Sequence, residues 1–362
     1  MLRAGAQLLG VLVVVATALP LALPRARAWW IRLLDFPRLQ IAVLGVVACA
    51  GLLLTREGGA GASLALPALT AAAVAVQAAH VWRYTPLAPR EVQRARSADP
   101  ARRIALVIAN VLQDNRNAER LLRAVRATDA SVVLCLETDA WWCAQLDALR
   151  ATHPYTLRHP LPNTYGMALH SRWPLEDAHV AFLVQDDVPS VHATLRLPSG
   201  VRVRLHGLHP RPPVPTESDS SVHRDAELVV VGKQVQDDEG PVIVCGDLND
   251  VAWSRTTRLF QKLSGLLDPR KGRGFFGTFP ARRPLLRVPL DHVFHSPDFR
   301  LVEMRLLPDV GSDHLPVYVA LSHEPRAQRV QQAPENDAAA EQEARETVAE
   351  AASERTQERA GG

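Results

Sequence analysis

Polar residues with the chemistry of a hydrolytic site follow or begin a series of short apolar segments along the chain. Carboxylate and amide oxygens are the ligands that Mg²⁺ prefers, while aspartate and histidine serve as general bases and acids. Because polar side chains at strand ends collect at one edge of an α/β sheet, we predict that these residues form one site. The set consists of Asn110, Glu137, His209, Asp247, Asn249, Asp291, Asp313 and His314.

This combination suits the hydrolysis of a phosphate ester, which needs a metal ion, a group that activates water and a donor for the leaving oxygen. Each member alone has a simpler explanation. Glu137 could be a solvated turn residue, Asp247-Leu248-Asn249 an Asx turn before a helix, His209 a loop residue, and Asp313-His314 a surface ion pair. The ordered set supports the prediction, since all of these explanations would have to hold together.

The spacing of apolar residues predicts the elements that hold this set. A strand at 104–108, a helix at 118–127, a strand at 132–136 and a helix at 140–149 come first. Short strands follow at 165–170, 179–184, 191–197 and 201–208, then a helix at 219–235, a strand at 241–245 and a helix at 254–263. Strands at 290–295, 301–306 and 315–321 complete the region. We predict an α/β (α+β) four-layer sandwich, in which two packed mixed β-sheets are flanked by helices.

N-terminal transmembrane helices are predicted to precede this sandwich. Nearly unbroken apolar runs occupy residues 6–23, 39–54 and roughly 60–82, and a helix needs about 20 apolar residues to cross a bilayer. The first and third runs reach that length, and the second is borderline. A cleaved signal peptide is the alternative for the first run, but the later runs and the prolines Pro20 and Pro24 favour a span. Trp29 and Trp30 fall where interfacial aromatic residues would lie.

Arginines set the predicted orientation in the cell membrane. They are frequent between the first two runs and after the third, whereas only Arg56 lies between the second and third runs. The positive-inside rule then places the C-terminal domain in the cytoplasm. If the second run does not cross, the domain faces the other side, so an extracytoplasmic site stays open. The arginines are Arg25, Arg27, Arg32 and Arg38, and then Arg83, Arg90, Arg94 and Arg96.

Composition bounds the organisation of the 362-residue chain. Its 47% hydrophobic and 22% charged residues fit a globular domain with a membrane part, and a net charge of +3 is too small to indicate nucleic acid by itself. The cysteines show no CxxC spacing, so we expect neither a structural zinc site nor a disulfide framework. We divide the chain into a membrane segment at 1–83, a Pro/Arg-rich linker at 84–102, a catalytic domain at 103–322 and an Ala/Glu-rich tail at 323–362. The tail has almost no large apolar residues, so we predict that it is disordered or a solvated helix.

Four short motifs carry a family resemblance. The most specific are Gly246-Asp247-Leu248-Asn249 and Gly311-Ser312-Asp313-His314, and Gly277-Thr278-Phe279-Pro280 and Asp291-His292-Val293-Phe294 support them. With these motifs, residues 103–322 resemble the exonuclease–endonuclease–phosphatase superfamily, which includes deoxyribonuclease I, abasic-site endonucleases and neutral sphingomyelinases. The resemblance implies a metal site for Mg²⁺ or Mn²⁺ in which Glu137 and Asp313 are carboxylate ligands and Asn110 supports them.

The same resemblance implies catalytic roles for the other residues of the set. Asp247 would orient or deprotonate the attacking water, and Asn249 would contact the phosphate. His209 would contact the phosphate or the leaving group. His314, oriented by Asp291, would contact the scissile phosphate. An aspartate that holds a histidine raises its charged fraction, which suits the stabilisation of negative charge in a transition state.

The chain departs from one branch of this superfamily. Abasic-site endonucleases have an asparagine three residues after the position of His209, where this chain has Pro212. The catalytic part also lacks an evident basic stripe with interleaved aromatic residues. Our leading hypothesis is a phosphodiesterase or phosphatase, anchored in the lipid bilayer by its helices, that acts on a lipid-linked phosphate or a nucleic acid, with no protein partner evident. The alternatives are a DNA endonuclease or exonuclease and a catalytically inactive binding module of the same fold.

Overall fold

Apolar helices form the N-terminal part of the computed structural model, which describes residues 1–55, 64–97, 99–214, 217–218, 220–238 and 240–361. They are α1 (Leu2–Ala22), the short α2 (Trp29–Arg32), α3 (Arg38–Leu54) and α4 (Ala65–Val81). The three long helices pack against one another, and large apolar side chains such as Leu12 and Val47 are exposed on the outside. Helices that are apolar on every face are typical of a membrane environment.

Among the residues that the structure describes, two helices are long and apolar enough to cross a membrane, namely Leu2–Ala22 and the helical stretch Ala65–Tyr84. A third span is reached only if the segment Trp29–Asp35 and α3 count as one helix, bent by 71°. The predicted borderline second span therefore corresponds to a helix of 17 residues. Arg56 and the predicted start of the third run at 60–63 lie outside the described residues.

A chain of buried polar side chains fixes the helix bundle to the domain that follows. Arg38 Nη1 donates to Gln77 Oε1 at 3.0 Å, and Gln77 Nε2 donates to Thr17 Oγ1 at 2.9 Å. Arg38 also pairs with Asp35, whose backbone oxygen accepts the indole N–H of Trp253 at 2.7 Å. Because buried polar groups cost free energy when they lack partners, this network favours one seating of the bundle on the domain.

In the described part of the remaining chain, eleven strands build two sheets. Their bounds are β1 (Arg103–Asn110), β2 (Val132–Leu136), β3 (Tyr155–His159), β4 (Met167–Ser171), β5 (Leu175–Ala181), β6 (Ser190–Arg196), β7 (Arg202–Leu208), β8 (Val242–Asp247), β9 (Asp291–His295), β10 (Phe299–Leu306) and β11 (Val317–His323). One sheet has the order β10-β11-β1-β2-β4-β3 and the other the order β5-β6-β7-β8-β9. Each sheet contains both parallel and antiparallel pairs.

Helices cover the outer face of each sheet. These are α5 (Ala118–Arg126) and α6 (Ala140–Leu146) on the first sheet, and α7 (Val222–Gln236) and α8 (Arg255–Ser264) on the second. Leu134 and Ile243 belong to the core between the sheets, whereas Val133 packs with the helices of the first sheet and Val244 with those of the second. The four-layer sandwich predicted from the sequence is confirmed.

One strand of the first sheet, β3, was not predicted from the sequence. It forms the edge of that sheet, and its side chains are exposed or half-buried. An edge strand with Arg158 and His159 in it has no continuous apolar run, so the buried-strand pattern does not reveal it.

Residues 84–97, which belong to the predicted Pro/Arg-rich linker, pack against the domain that follows. Val92 is fully buried in the core between the sheets, and Arg94 forms a bridge with Leu301 of the edge strand β10. Glu91 pairs with the buried Lys271 at 2.9 Å. The segment therefore pairs with backbone groups at the edge of the first sheet, which would otherwise be left exposed. Its composition alone did not indicate this pairing.

The tail, predicted to be disordered or a solvated helix, contains the helix α9 (Ala338–Gly361), and this helix is packed on one face. Ala340 and Ala344 are buried against α7 and α8, and Ala351 packs with Val222 of α7. Ion pairs flank this alanine stripe, including Arg27 with Glu350 and Arg255 with Glu343. The sequence pattern was misleading because small methyl groups on one helix face can pack closely without any large apolar residue.

Candidate active site

The predicted residues meet at one end of the sandwich, where strands of both sheets finish. β1 and β2 are parallel neighbours, so Asn110 at the end of β1 lies beside Glu137, which follows β2. In the second sheet the end of β8 meets the start of β9, and Asp247 is paired with Asp291. Gly246 has a φ of 142°, and an added Cβ would overlap the backbone of β7, so glycine permits this close approach.

Asn110 links the two sheets at this end. Its Nδ2 donates to Glu137 Oε1 at 2.7 Å and lies 3.1 Å from Asp247 Oδ2. Its Oδ1 accepts the backbone N–H of Leu112 at 3.1 Å. The asparagine is buried, so its two bonds hold one carboxylate from each sheet in a fixed relation.

Glu137 is a half-buried carboxylate in a strained backbone position. Its φ is 60°, in the left-handed region that disfavours residues with a side chain. Burial raises its pKa to about 7 against hydrogen bonds from Asn110 and from the backbone N–H of Gln113, and the charges of Asp247 and Asp313 add to the rise. A cation beside this carboxylate would offset its cost of burial and favour its ionised form.

His314 lies between two buried aspartates. Its Nδ1 donates to Asp291 Oδ2 at 2.8 Å, and its Nε2 lies 3.5 Å from Asp247 Oδ2. Burial lowers the pKa of His314, but the charges of Asp291 and Asp247 outweigh burial and raise that pKa to about 10. Burial likewise raises the pKa of Asp247, against the charge of His314. These shifts favour a charged His314 at neutral pH. They also make the carboxylate of Asp247 more basic than that of an exposed aspartate.

His209 faces the same aspartate from the end of β7. Its Nε2 lies 3.9 Å from Asp247 Oδ2, and its Nδ1 is buried with no hydrogen-bond partner among the described residues. Burial lowers the pKa of His209. The ring of Tyr165 lies 5.4 Å from that of His209. His209 is thus a neutral imidazole, which can donate a hydrogen bond without adding charge.

Asn249 takes part in the Asx turn that was the structural alternative to a functional role, and this turn is compatible with a place in the site. Its backbone N–H donates to Asp247 Oδ1 at 2.9 Å, which is the Asx turn considered from the sequence. This turn uses one oxygen of Asp247 and leaves Oδ2 facing Asn110 and His314. Asn249 Nδ2 donates to the backbone oxygen of Pro210 at 3.0 Å, which places its side chain at the rim of the site.

A cavity of about 330 Å³ opens over these groups. Every residue of the predicted set lines this cavity or hydrogen-bonds to a residue that does. Half-buried Asp313 is among the lining residues, and its backbone oxygen accepts the N–H of Ala281 at 2.7 Å. The cavity therefore joins the carboxylates proposed for metal binding to the histidines.

Sequence reasoning missed several residues that also line the cavity. Tyr165 donates its hydroxyl to Glu217 at 2.6 Å, and Phe279 packs its ring 4.9 Å from that of His314. Leu33 and Phe36, from the connection between α1 and α3, also line the cavity. The resemblance of 277–280 to a family motif pointed to Phe279, but nothing in the N-terminal sequence linked Leu33 or Phe36 to the site.

Among the described residues, one group of side chains brings three ligand atoms close enough together to hold a metal ion. Asp247, Asp291 and His314 offer these atoms within 4.8 Å of one another. Burial lowers the pKa of His314, but the charges of the two aspartates raise it to about 10, so its imidazolium competes with a metal ion for them. Half-buried Glu137 lines the same cavity as Asp313, and their carboxylate oxygens are of the type that a hard divalent ion prefers.

Together, the two mixed sheets and the cluster of acidic and histidine residues at their ends define a hydrolase-like site in a four-layer sandwich. The family model described as Endonuclease/Exonuclease/phosphatase family matches residues 107–314, and the chain belongs to that family. This match confirms the resemblance inferred from the motifs. The curated proteins compared with the chain gave no significant match.

Solved structures agree on the fold. A structure of D. rerio TDP2 humanized by 14 mutations has a TM-score of 0.52 at 15% identity, and the match covers 61% of this chain and 99% of that one. D. rerio TDP2 complexed with single strand DNA product has a TM-score of 0.51 at 16% identity, with coverage of 61% and 99%. An endonuclease/exonuclease/phosphatase from Beutenbergia cavernae has a TM-score of 0.50 at 19% identity, with coverage of 62% and 72%.

Proposed function

We propose that the chain is a membrane-anchored, divalent-metal-dependent hydrolase of phosphate esters, and that its substrate carries the phosphate on a lipid. Membership of the family supports the hydrolase class. One observation carries the lipid assignment: Leu33 and Phe36 come from the membrane segment, yet they line the same cavity as Glu137 and His314. A phosphate held at the polar wall would have an apolar neighbour from the anchor itself.

The apolar wall is suited to a hydrocarbon chain. Pro212, Pro213 and Val214 extend it from the side of the catalytic domain. Trp30 and Leu33 are each 50% exposed beside the helix bundle, although they are large apolar residues. Aromatic and aliphatic side chains in such positions favour the boundary between headgroups and acyl chains. A lipid could therefore reach the cavity without leaving the bilayer surface.

The metal site is the first part of the proposed mechanism. Glu137 and Asp313 would hold the divalent ion, Mg²⁺ or Mn²⁺, and Asn110 would keep Glu137 in place through its 2.7 Å hydrogen bond. When bound, such an ion neutralises charge on the phosphoryl oxygens. The left-handed backbone at Glu137 supports this role, because strained residues tend to persist at functional positions.

The remaining residues would move protons and stabilise charge. Asp247, whose pKa is raised by burial, accepts a proton from the attacking water. His314 remains an imidazolium through Asp291 and donates Nε2–H to the phosphoryl oxygen. His209 donates a neutral hydrogen bond to the phosphate or leaving group, and the amide of Asn249 contacts the phosphate.

DNA is the second candidate substrate. It is favoured by the fold similarity to D. rerio TDP2, whose structure holds a single strand DNA product. Against it stands the apolar wall of the cavity, since single-stranded nucleic acid sites combine a basic groove with stacking aromatic residues. The third possibility is a binding module without activity, which is disfavoured because the proposed site has a residue for each catalytic role.

The anchor and its orientation also belong to this proposal. The helices α1 and α4, with α3 as a third span, would place the protein in the cell membrane, and the arginine distribution favours a cytoplasmic site. Protease added outside intact cells should then leave the Ala338–Gly361 helix uncut. Cleavage of that helix from outside would place the site on the extracytoplasmic face.

The test uses the full chain in detergent with Mg²⁺ and three substrates: a long-chain lipid phosphate ester, its short-chain water-soluble analogue, and single-stranded DNA. We expect kcat/KM for the long-chain ester to exceed that of the short analogue by about tenfold or more. Chelation and the variant Glu137→Gln should each lower turnover by about a hundredfold or more. Glu119→Gln, on the surface of α5 with a side chain 82% exposed, is the matched control.

Each result separates the candidates. Faster cleavage of DNA than of the lipid ester would overturn the lipid assignment and support a nuclease. Turnover that persists in excess chelator would overturn the metal requirement. No cleavage of any of these substrates by the folded chain would support the inactive module instead.

A further inference from the structure

Three histidines stand in a row on the second sheet, away from the active site. His179 on β5 is directly opposite His192 on β6, and His192 is directly opposite His206 on β7. They lie on the face turned away from the core between the sheets, where they line a separate cavity of about 500 Å³ together with Asp238. His192 and His206 are buried, and His179 is exposed.

The hydrogen bonds of the Nε2 atoms of His192 and His206 indicate which ring nitrogen carries the proton. Ser190 Oγ donates to the backbone oxygen of Ala181, so at 2.8 Å it accepts from His192 Nε2–H. His206 Nε2 lies 3.3 Å from Asp238 Oδ2, and a carboxylate there accepts its proton. Both imidazoles therefore carry their proton on Nε2 and present a lone pair on Nδ1.

These two lone pairs point at each other. His192 Nδ1 and His206 Nδ1 are 2.7 Å apart. Two acceptors at that distance repel unless a proton or a metal ion lies between them. Both rings are buried, and a charged imidazolium is costly to bury, which disfavours an extra proton between them. Neutral imidazoles are the form of histidine that binds metal ions.

We propose that His192 and His206 are ligands of a second metal site, selective for a borderline-soft divalent ion such as Zn²⁺, with His179 as a third ligand. Tetrahedral Zn–N bonds of about 2.0–2.1 Å separate ligand nitrogens by roughly 3.3 Å, so the two Nδ1 atoms need only move apart slightly. Asp238 occupies the position of the carboxylate that orients a metal-bound histidine from its far side.

The third ligand needs a rotation of one exposed side chain. The ring of His179 stacks on that of His192 at 5.2 Å between centroids and 18° between planes. Its Nδ1–H donates to the backbone oxygen of Asp177 at 2.9 Å, which leaves Nε2 free to bind. The ion would join β5, β6 and β7 across the sheet. This role is independent of the proposed hydrolysis, because the three histidines lie within their strands and line a different cavity from the active-site residues at the strand ends.

The test measures Zn²⁺ binding to the metal-stripped full chain in detergent, with excess Mg²⁺ present to occupy the oxygen-rich active site. We expect one Zn²⁺ per chain that is lost in His192→Asn/His206→Asn, and a Co²⁺ complex with the visible spectrum of histidine ligation. His179→Ala changes only an exposed residue and should weaken Zn²⁺ binding by about tenfold. His159→Asn, on β3 of the other sheet, is the control and should bind normally.

Thermal unfolding keeps the inference testable if the double variant folds poorly. Zn²⁺ should raise the melting temperature of the parent, and this rise should be smaller in His179→Ala at the same Zn²⁺ concentration. Equal Zn²⁺ stoichiometry in the parent and the double variant would overturn the site. So would a parent whose melting temperature and Co²⁺ spectrum do not respond to the metal.

Discussion

The imidazole of His314 donates to Asp291 Oδ2 at 2.8 Å, and this bond aims Nε2 at Asp247 Oδ2, 3.5 Å away. The other oxygen of Asp291 is buried and has no hydrogen-bond partner among the described residues. The charge of this carboxylate is therefore directed at the histidine. Burial opposes the charge on His314, but the two aspartates raise its pKa to about 10.

The variant Asp291→Asn should move the alkaline limit of activity to lower pH. In the parent, His314 stays charged until the pH rises through about 10. Without the carboxylate, burial and the remaining neighbours set a lower pKa, so the active imidazolium is lost earlier as pH rises. The measurement is kcat/KM against pH on a phosphate ester, with exposed Asp114→Asn as the control. An unshifted alkaline limit in a folded Asp291→Asn would mean that another group titrates there.

The variant Leu33→Ala should weaken the use of long-chain substrates selectively. Full burial of a leucine side chain contributes about 1.5–3 kcal/mol, so we expect KM for a long-chain ester to rise by about tenfold. KM for the short-chain analogue should stay unchanged, because that analogue does not reach the apolar wall. Leu87→Ala, whose side chain is 79% exposed and does not line the cavity, is the matched control. Equal loss on both analogues would contradict a lipid-binding role for this wall.

The variant Glu227→Gln should stabilise the protein at alkaline pH. Glu227 is buried on α7, its Oε1 has no hydrogen-bond partner among the described residues, and burial raises its pKa from 4.5 to about 8. Stability from this group is present below pH 4.5 and is lost as pH rises through about 8, at up to about 1.4 kcal/mol per pH unit. Thermal unfolding in one detergent should show a higher melting temperature for the variant above pH 8 and little difference near pH 4.5. Glu119→Gln should show no such dependence.

The variant Gly45→Ala should loosen the helix bundle. An added Cβ at Gly45 would overlap the side chain of Val74 on α4 and lie 3.1 Å from Val13 on α1. Separation of these helices should cost about 1–3 kcal/mol. Gly5→Ala has nothing within 4 Å of its added Cβ and should be neutral or gain up to about 1 kcal/mol. Thermal unfolding in detergent compares the two, and similar melting temperatures would argue against close packing of α3 and α4.

Much of the fold and of the candidate site was predictable from local patterns. Strands buried on both faces read as continuous apolar runs, so their ends, and the polar residues there, could be located along the chain. Motifs such as Gly246-Asp247-Leu248-Asn249 then ordered these residues, and the family match confirms the resemblance. Their catalytic roles remain predictions.

Contacts between distant parts of the chain were decided only by the tertiary structure. Leu33 and Phe36 reach the cavity because the buried hydrogen bonds around Asp35 and Trp253 hold the helix bundle against the domain. No local sequence pattern indicates this contact. The tail was expected to be disordered or a solvated helix, but its alanines pack against α7 and α8. His179, His192 and His206 face one another because of strand register, whereas the absence of CxxC spacing had suggested that no structural zinc site exists. The sequence by itself determined which polar groups lie at strand ends, because burial patterns are local. The neighbours of these groups across the fold were decided only by the tertiary structure, because packing and strand register depend on residues far apart in the chain.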